Sequence, residues 1–210
     1  MNIRHFFPII SCAFLAVTPC LRAGEAPSFA LQEGDIVFSG SAAGQGAAIT
    51  AATGSPFTHC GVAFKLDGRW MVLEAVQPVG VTTLENFFSR ATKGTFAVRR
   101  PKAAITPEAY LKARKWAVAQ VGVDYDSRFG WDDKKLYCSE LVWKFYQHAG
   151  IELCPLRKFR DYDLRHPTTK KIIEQRYGSL EQLPMDEKVI APSDILSSPL
   201  LAEVPTEGKK

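Results

Sequence analysis

The chain has 210 residues, 46% of them hydrophobic and 23% charged, which suits one globular domain with a core of its own. Its net charge is +4; without residues 1–23, which carry Arg4 and Arg22, 24 Lys and Arg face 22 Asp and Glu. So near-neutral a balance, with no dense stripe of Lys and Arg, argues against nucleic acid as a partner.

Residues 1–23 read as a signal peptide. A short basic start with Arg4 precedes an apolar run, Phe6 to Val17, too short to span a bilayer, and Leu21-Arg22-Ala23 offers a cleavage site before Gly24. The expected product is one domain, 24–210, periplasmic or secreted; an uncleaved anchor, or a lipid on Cys20, is the alternative. Cys12 and Cys20 leave with the signal, so Cys60, Cys138 and Cys154 remain. Three is odd, which leaves at least one thiol free or paired between chains, and a Cys60–Cys154 bridge stays open.

In chain order, Gly34-Asp35 turns into a short apolar strand, Ile36-Val37-Phe38. The small-residue stretch Ser39 to Thr53 predicts a loop and then a helix over Gly46 to Ala52, closed by Gly54. A β-hairpin follows, Phe57 to Phe64 and Trp70 to Val76, around Asp67-Gly68. A two-residue turn pairs Leu66 with Arg69 and so sets Gly61 opposite Glu74. His59 and Glu74 then project from one face as diagonal neighbours. A three-residue turn would put them on opposite faces.

Val81 to Ser89 reads as a loop with a short helical stretch, and Thr95 to Arg99 as a strand. Thr106-Pro107-Glu108 starts a helix that runs to about Val121 and stops at Gly122. Val123 to Lys135 is polar and aromatic, a loop over a site. Cys138 to Ala149 is a helix ended by Gly150, with Cys138, Leu141, Val142 and Phe145 on one face. Thr168 to Tyr177 is the last helix. The apolar tail from Val189 to Val204 is expected to pack back onto the domain, and Glu207 to Lys210 to fray.

A cysteine opening a helix and a histidine from a strand make the pairing a thiolate nucleophile needs. The helix end favours the thiolate, and the imidazole moves the proton. Glu74 interrupts the apolar run Trp70 to Val76, and a buried carboxylate needs a partner that His59 would supply. The bland alternatives are an inert buried Cys138, a His59 that only satisfies a core hydrogen bond, and a Glu74 in water at a sheet edge. Tyr125 and Tyr137 are candidate oxyanion or substrate contacts. Alternation sends His59 and Cys60 to opposite faces, and no metal-ligand spacing occurs, so neither a metal nor a cofactor is expected. Cys60 is expected to pack as a small apolar residue on the far face, away from the reacting groups. No Gly-x-Ser-x-Gly elbow is present. His148 reads as decoration of a helix end, and His166 has no evident partner.

Gly34-Asp35-Ile36-Val37-Phe38, Phe57-Thr58-His59-Cys60-Gly61-Val62, Leu73-Glu74-Ala75 and Tyr137-Cys138-Ser139-Glu140-Leu141-Val142-Trp143 together resemble the YiiX-like group of circularly permuted, NlpC-type papain-like cysteine hydrolases. The likeness continues through Asp161-Tyr162-Asp163-Leu164 and Arg176-Tyr177-Gly178 to Ser198-Pro199-Leu200-Leu201. The resemblance implies an α+β fold of the permuted papain-like kind, an antiparallel sheet against helices with the nucleophile at a helix N-terminus. By matching motifs it makes Cys138 the nucleophile, His59 the general base and acid, and Glu74 the orienting group. Cys60 departs from the aliphatic or Met residue expected after the histidine, which could bring a second thiol near the site, although strand alternation argues against interference. The implied activity is amide hydrolysis through a thioester. A cell-wall peptide would want charged lining, for which Arg128, Asp132, Asp133, Lys134 and Lys135 are candidates. The alternative, a lipid ester or amide hydrolase or an acyltransferase of the same fold, would suit Phe129, Trp131 and the apolar tail. A ligand-binding domain without turnover is the reading from another class, and no stable protein partner is inferred.

Overall fold

The strands of both sheets, among the described residues, pair antiparallel. The computed structural model describes residues 28–92 and 94–206, so the expected signal peptide and the charged end from Glu207 lie outside the described residues. In chain order the elements are β1 (Ile36–Ser39), α1 (Gly44–Thr53), β2 (His59–Leu66), β3 (Arg69–Ala75), β4 (Val79–Thr83), α2 (Leu84–Ser89) and β5 (Phe96–Pro101). Then come α3 (Pro107–Ala119), α4 (Cys138–His148), β6 (Arg157–Lys158), α5 (Pro167–Tyr177), β7 (Lys188–Val189), α6 (Pro192–Leu196) and β8 (Leu201–Glu203). The main sheet has the order β4-β3-β2-β1-β5-β8, and β6 pairs with β7 in a small ribbon. This is the α+β arrangement, sheet against helices, that the resemblance implied.

Ile36, Val37 and Phe38 are all fully buried. The reason is that β1 is covered on both faces, so its sequence reads as an unbroken apolar run. On one face Ile36, Phe38, Cys60, Val62 and Leu73 meet Leu141, Val142 and Phe145 of α4. On the other, Val37, Ala63, Val72 and Val98 meet Phe87 and Phe88 of α2.

Local signals set most boundaries. Gly54 closes α1 at φ 70°. The Thr106 hydroxyl accepts a hydrogen bond from the Ala109 N–H at 3.2 Å and caps α3. His166, expected to lack a partner, caps α5: its Nδ1 accepts from the Thr168 N–H at 3.2 Å. The tail does return to the sheet, as β8 against β5.

One segment departs from expectation. Val79 to Thr83, read largely as loop, is strand β4, and Glu74 pairs with Gly80 across it. Its Gly and Thr residues show no apolar alternation; β3 supplies the pairing that holds it. Two clamps fix the frame. Arg100 grips buried Asp35 with two hydrogen bonds of 2.7 Å, and the Tyr146 hydroxyl of α4 donates to the Gly34 carbonyl. The Gly34-Asp35 motif is therefore structural.

Candidate active site

Asp67 and Gly68 both take positive φ, 49° and 77°, as a two-residue hairpin turn of this hand requires. Leu66 consequently pairs with Arg69, and Val62 with Leu73. That register brings His59 Nε2 to 2.5 Å from Glu74 Oε2. Gly61 makes the approach feasible. A Cβ there would stand 2.5 Å from Val72 Cγ1 and 2.7 Å from the Leu73 carbonyl oxygen. Phe87 stacks on the imidazole, ring centres 5.4 Å apart. Arg90 holds the second oxygen of Glu74, and its Nε donates to the Asn86 carbonyl at 3.1 Å. The Glu74 side chain keeps only 2% of its surface exposed, so both its oxygens are spoken for inside the protein.

Cys138 is the first residue of α4, and its neighbours are pinned one by one. Tyr137 accepts through its hydroxyl from the Ile190 N–H at 3.2 Å, and Ser139 donates to the Ile190 carbonyl at 2.7 Å. Glu140 accepts from Lys144 at 2.7 Å. Burial pushes the Glu140 carboxyl up to about 8, against the pull of that lysine. The Tyr-Cys-Ser-Glu block thus fixes where the thiol points.

The Cys138 thiol meets β2 at its first two residues, against the Cys60 thiol, the Cys60 N–H and the His59 ring. Since Nε2 of His59 serves Glu74, Nδ1 is the nitrogen left for the sulfur. A hydrogen bond from the Cys60 thiol, opposed by burial and then reinforced by the charge of His59, holds Cys138 well below an ordinary thiol. Burial alone would lower His59. The charge of Cys138, its hydrogen bond and the bonds to Glu74 outweigh that and raise the imidazole to about 9. For Glu74, burial works upward and is overcome by His59 and Arg90, so the carboxyl lies below its usual value. Both shifts run in the direction that favours a thiolate beside an imidazolium.

Cys60 corrects an expectation. It was to pack on the far face, away from the chemistry. It is fully buried, pairs with Phe38, and lies on the face that α4 covers, against Cys138. Alternation does set it opposite to His59, but Cys138 sits where the strand begins and is reached by both residues. Burial, then Cys138, raises the Cys60 thiol well above its usual value, so it stays protonated and donates. Cys60, Cys138 and Cys154 are all free, so Cys60 and Cys154 are not bridged.

Tyr125 is drawn in by a bridge to Leu136 and by its N–H, which donates to Gln77 Oε1 at 2.7 Å. Its hydroxyl accepts from Gln45 Nε2 at 2.7 Å. Burial, then the charge on Cys138, raises it. Beside Cys138 opens a cavity of about 110 Å³, lined by Ile49, Phe129, Tyr137, Phe159, Ile173 and other mostly apolar groups. Its one charged lining residue, among the described residues, is Arg176. Arg128, Asp132, Asp133, Lys134 and Lys135 do not line it, and Trp131 packs edge-on against Trp143 instead. His148 stacks on Trp116, 4.7 Å between ring centres, as part of the far end of α4. Sequence reasoning passed over Gln45, Cys60, Arg90 and Arg176 as site residues. Only the departure at Cys60 from the expected aliphatic or Met residue was a signal.

The fold belongs to a class: residues 30–204 match the family of permuted papain-like amidase enzymes, YaeF/YiiX, C92 family, and the chain is a member of it. It is 35% identical over 184 residues to the uncharacterized protein YiiX of Escherichia coli K12, a match spanning 86% of this chain and 90% of that one. It is also similar to the crystal structure of yiiX from Escherichia coli O157:H7, described as a metalloprotein. The TM-score is 0.77 at 35% identity, covering 84% of this chain and 97% of that one.

Proposed function

We propose that the protein is a cysteine hydrolase that cleaves an amide through a thioester acyl-enzyme, with Cys138 as nucleophile, His59 as general acid and base, and Glu74 as the group that orients His59. The carrying observation is the Cys138–His59–Glu74 array, with Glu74 Oε2 2.5 Å from the imidazole and surroundings that lower the Cys138 thiol. The thiolate attacks the carbonyl carbon, and imidazolium Nδ1 gives its proton to the leaving amine as the C–N bond breaks. Water then loses a proton to the neutral His59, attacks the thioester, and releases the acid with Cys138 restored. The Cys138 N–H at the start of α4 and the Tyr125 hydroxyl are the oxyanion donors of this reading. The Tyr125 oxygen accepts from Gln45, which leaves its hydrogen to donate.

The apolar cavity beside Cys138 favours an amide, or an ester, of an apolar acyl group over a charged cell-wall peptide. We further propose that residues 1–23 direct the protein to the periplasm or outside the cell. The description of the relative from Escherichia coli O157:H7 as a metalloprotein finds no matching donor set here: among the described residues no group of three or more His, Cys, Asp or Glu is arranged to hold a metal ion. No step here runs through a metal.

The test is the alkylation of Cys138 by iodoacetamide against pH, in the mature protein and in His59→Ala. Fast labelling well below the free-thiol value of about 8.5, lost in His59→Ala, supports the reading. Free-thiol rates in both proteins overturn it in favour of a ligand-binding domain.

A further inference from the structure

Arg176 is the one charged residue on the wall of the Cys138 cavity, among the described residues. Its guanidinium is only partly served. Nη2 donates to Gln45 Oε1 at 2.5 Å, and the group lies over the Phe129 ring, 5.2 Å from its centre. Nη1 is buried and has no hydrogen-bond partner. Among the described residues it is the only buried side-chain nitrogen or oxygen so placed. A buried guanidinium N–H left unpaired is costly, so a native structure supplies it with a partner, which is a water, an ion or a ligand. The nearby carboxylate, Asp126, is otherwise engaged: its oxygens accept from the Arg128 and Gly130 N–H groups at 2.8 and 2.7 Å. Burial already lowers the pKa of Arg176, and the neighbouring Tyr125, Tyr177 and Asp126 only partly offset this.

The placement relative to the reacting atoms is informative. Gln45 joins the two ends, giving its NH₂ to Tyr125 and its carbonyl oxygen to Arg176. Tyr125 in turn feels the charge of Cys138. Arg176 therefore shares the cavity wall with Cys138 and is tied to Gln45, placed to hold a substrate group in that cavity.

We propose that Arg176 Nη1 binds an anionic oxygen group, a carboxylate or a phosphate, carried on an otherwise apolar amide or ester substrate. This rests on the reading of the Cys138 cavity as the substrate site. The shape of the ligand follows from the wall: an apolar chain against Ile49, Phe129 and Ile173, and one oxyanion for the only cation there. Arg suits the task because its guanidinium stays charged when desolvated and still offers donors at fixed angles.

The test uses binding to the Cys138→Ser protein, so that it does not depend on turnover. The probes are succinamate, adipamate and suberamate, each beside its methyl ester and its phosphonate counterpart, titrated by calorimetry. We expect at least one of the acids to bind about tenfold tighter than its ester, as a charge-assisted hydrogen bond would give. That preference should vanish in Arg176→Met and survive in part in Arg176→Lys. The phosphonate arm tells a phosphate site from a carboxylate site. Equal binding of acids and esters, binding of neither, or a preference that persists in Arg176→Met overturns the assignment. Anion binding in a protein that hydrolyses no amide would sink the hydrolase reading and leave this one standing. Amide hydrolysis without preference for anionic substrates would do the reverse.

Discussion

Glu74 is divided between two cations: Oε2 lies 2.5 Å from His59 Nε2, while Oε1 is held by Arg90. The first contact orients the ring whose other nitrogen serves Cys138. The second keeps the carboxylate ionised in a buried place, where burial alone would push it toward the neutral form.

Arg90→Met should therefore weaken both the fold and the site. Arg90 is about half exposed, so its share is discounted for solvent, and a loss of about 1–2 kcal/mol is expected from leaving one carboxylate oxygen unpaired. Urea unfolding measures that loss, and Arg90→Lys should recover part of it. Unfolding midpoints that do not move would mean that water replaces the arginine at no cost.

The rate of acylation, read as kcat/KM on an amide substrate, should be bell-shaped in pH. Its acid limb reports Cys138, and lies below the ordinary thiol value because the thiolate is favoured. Its alkaline limb lies near about 9, where His59 loses the proton that the leaving amine requires. Alkylation by iodoacetamide needs no such proton, so it should share the acid limb and stay high above 9. A common fall in both assays at high pH would point to another group.

Cys60→Ala should slow alkylation of Cys138 by about tenfold on the acid limb of the pH profile, where the thiolate fraction falls, since it removes a donor to the thiolate. The acid limb should move upward in the same protein. Cys60→Ser keeps a donor and should retain most of the rate. Identical profiles for wild type and Cys60→Ala would show that the second thiol only fills space.

Gly61→Ala introduces a methyl group that would stand 2.5 Å from Val72 Cγ1 and 2.7 Å from the Leu73 carbonyl oxygen. Forcing β2 away from β3 there should cost about 1–3 kcal/mol, as overpacking does. It should also lengthen the His59–Glu74 contact, so labelling of Cys138 should slow along with the loss of stability. A stable variant with normal labelling would contradict this account of the His-x-Gly motif.

Much of the site's frame was legible in the chain because it is local. Asp67-Gly68 marks the turn, and its two-residue form, which the structure shows, carries the register that puts His59 and Glu74 on one face. Thr106-Pro107, Gly54 and the apolar face of Cys138 to Phe145 likewise mark helix ends and sides within a few residues of chain. The pairing of Cys138 with His59, far apart in sequence, came through the resemblance and the known needs of a thiolate.

What only the tertiary structure decided is long-range by nature. Strand β4 exists because β3 offers it an edge, and its own Gly and Thr residues carry no pattern that announces it. Alternation separates Cys60 from His59 by one strand face, but which face α4 covers depends on packing between elements far apart in the chain, and that packing puts the second thiol against the first. Arg90 and Arg176 are two among 26 Lys and Arg, indistinguishable by composition. Folding brings one beneath a buried carboxylate and the other into an apolar wall, and a charge takes its meaning from the groups that surround it.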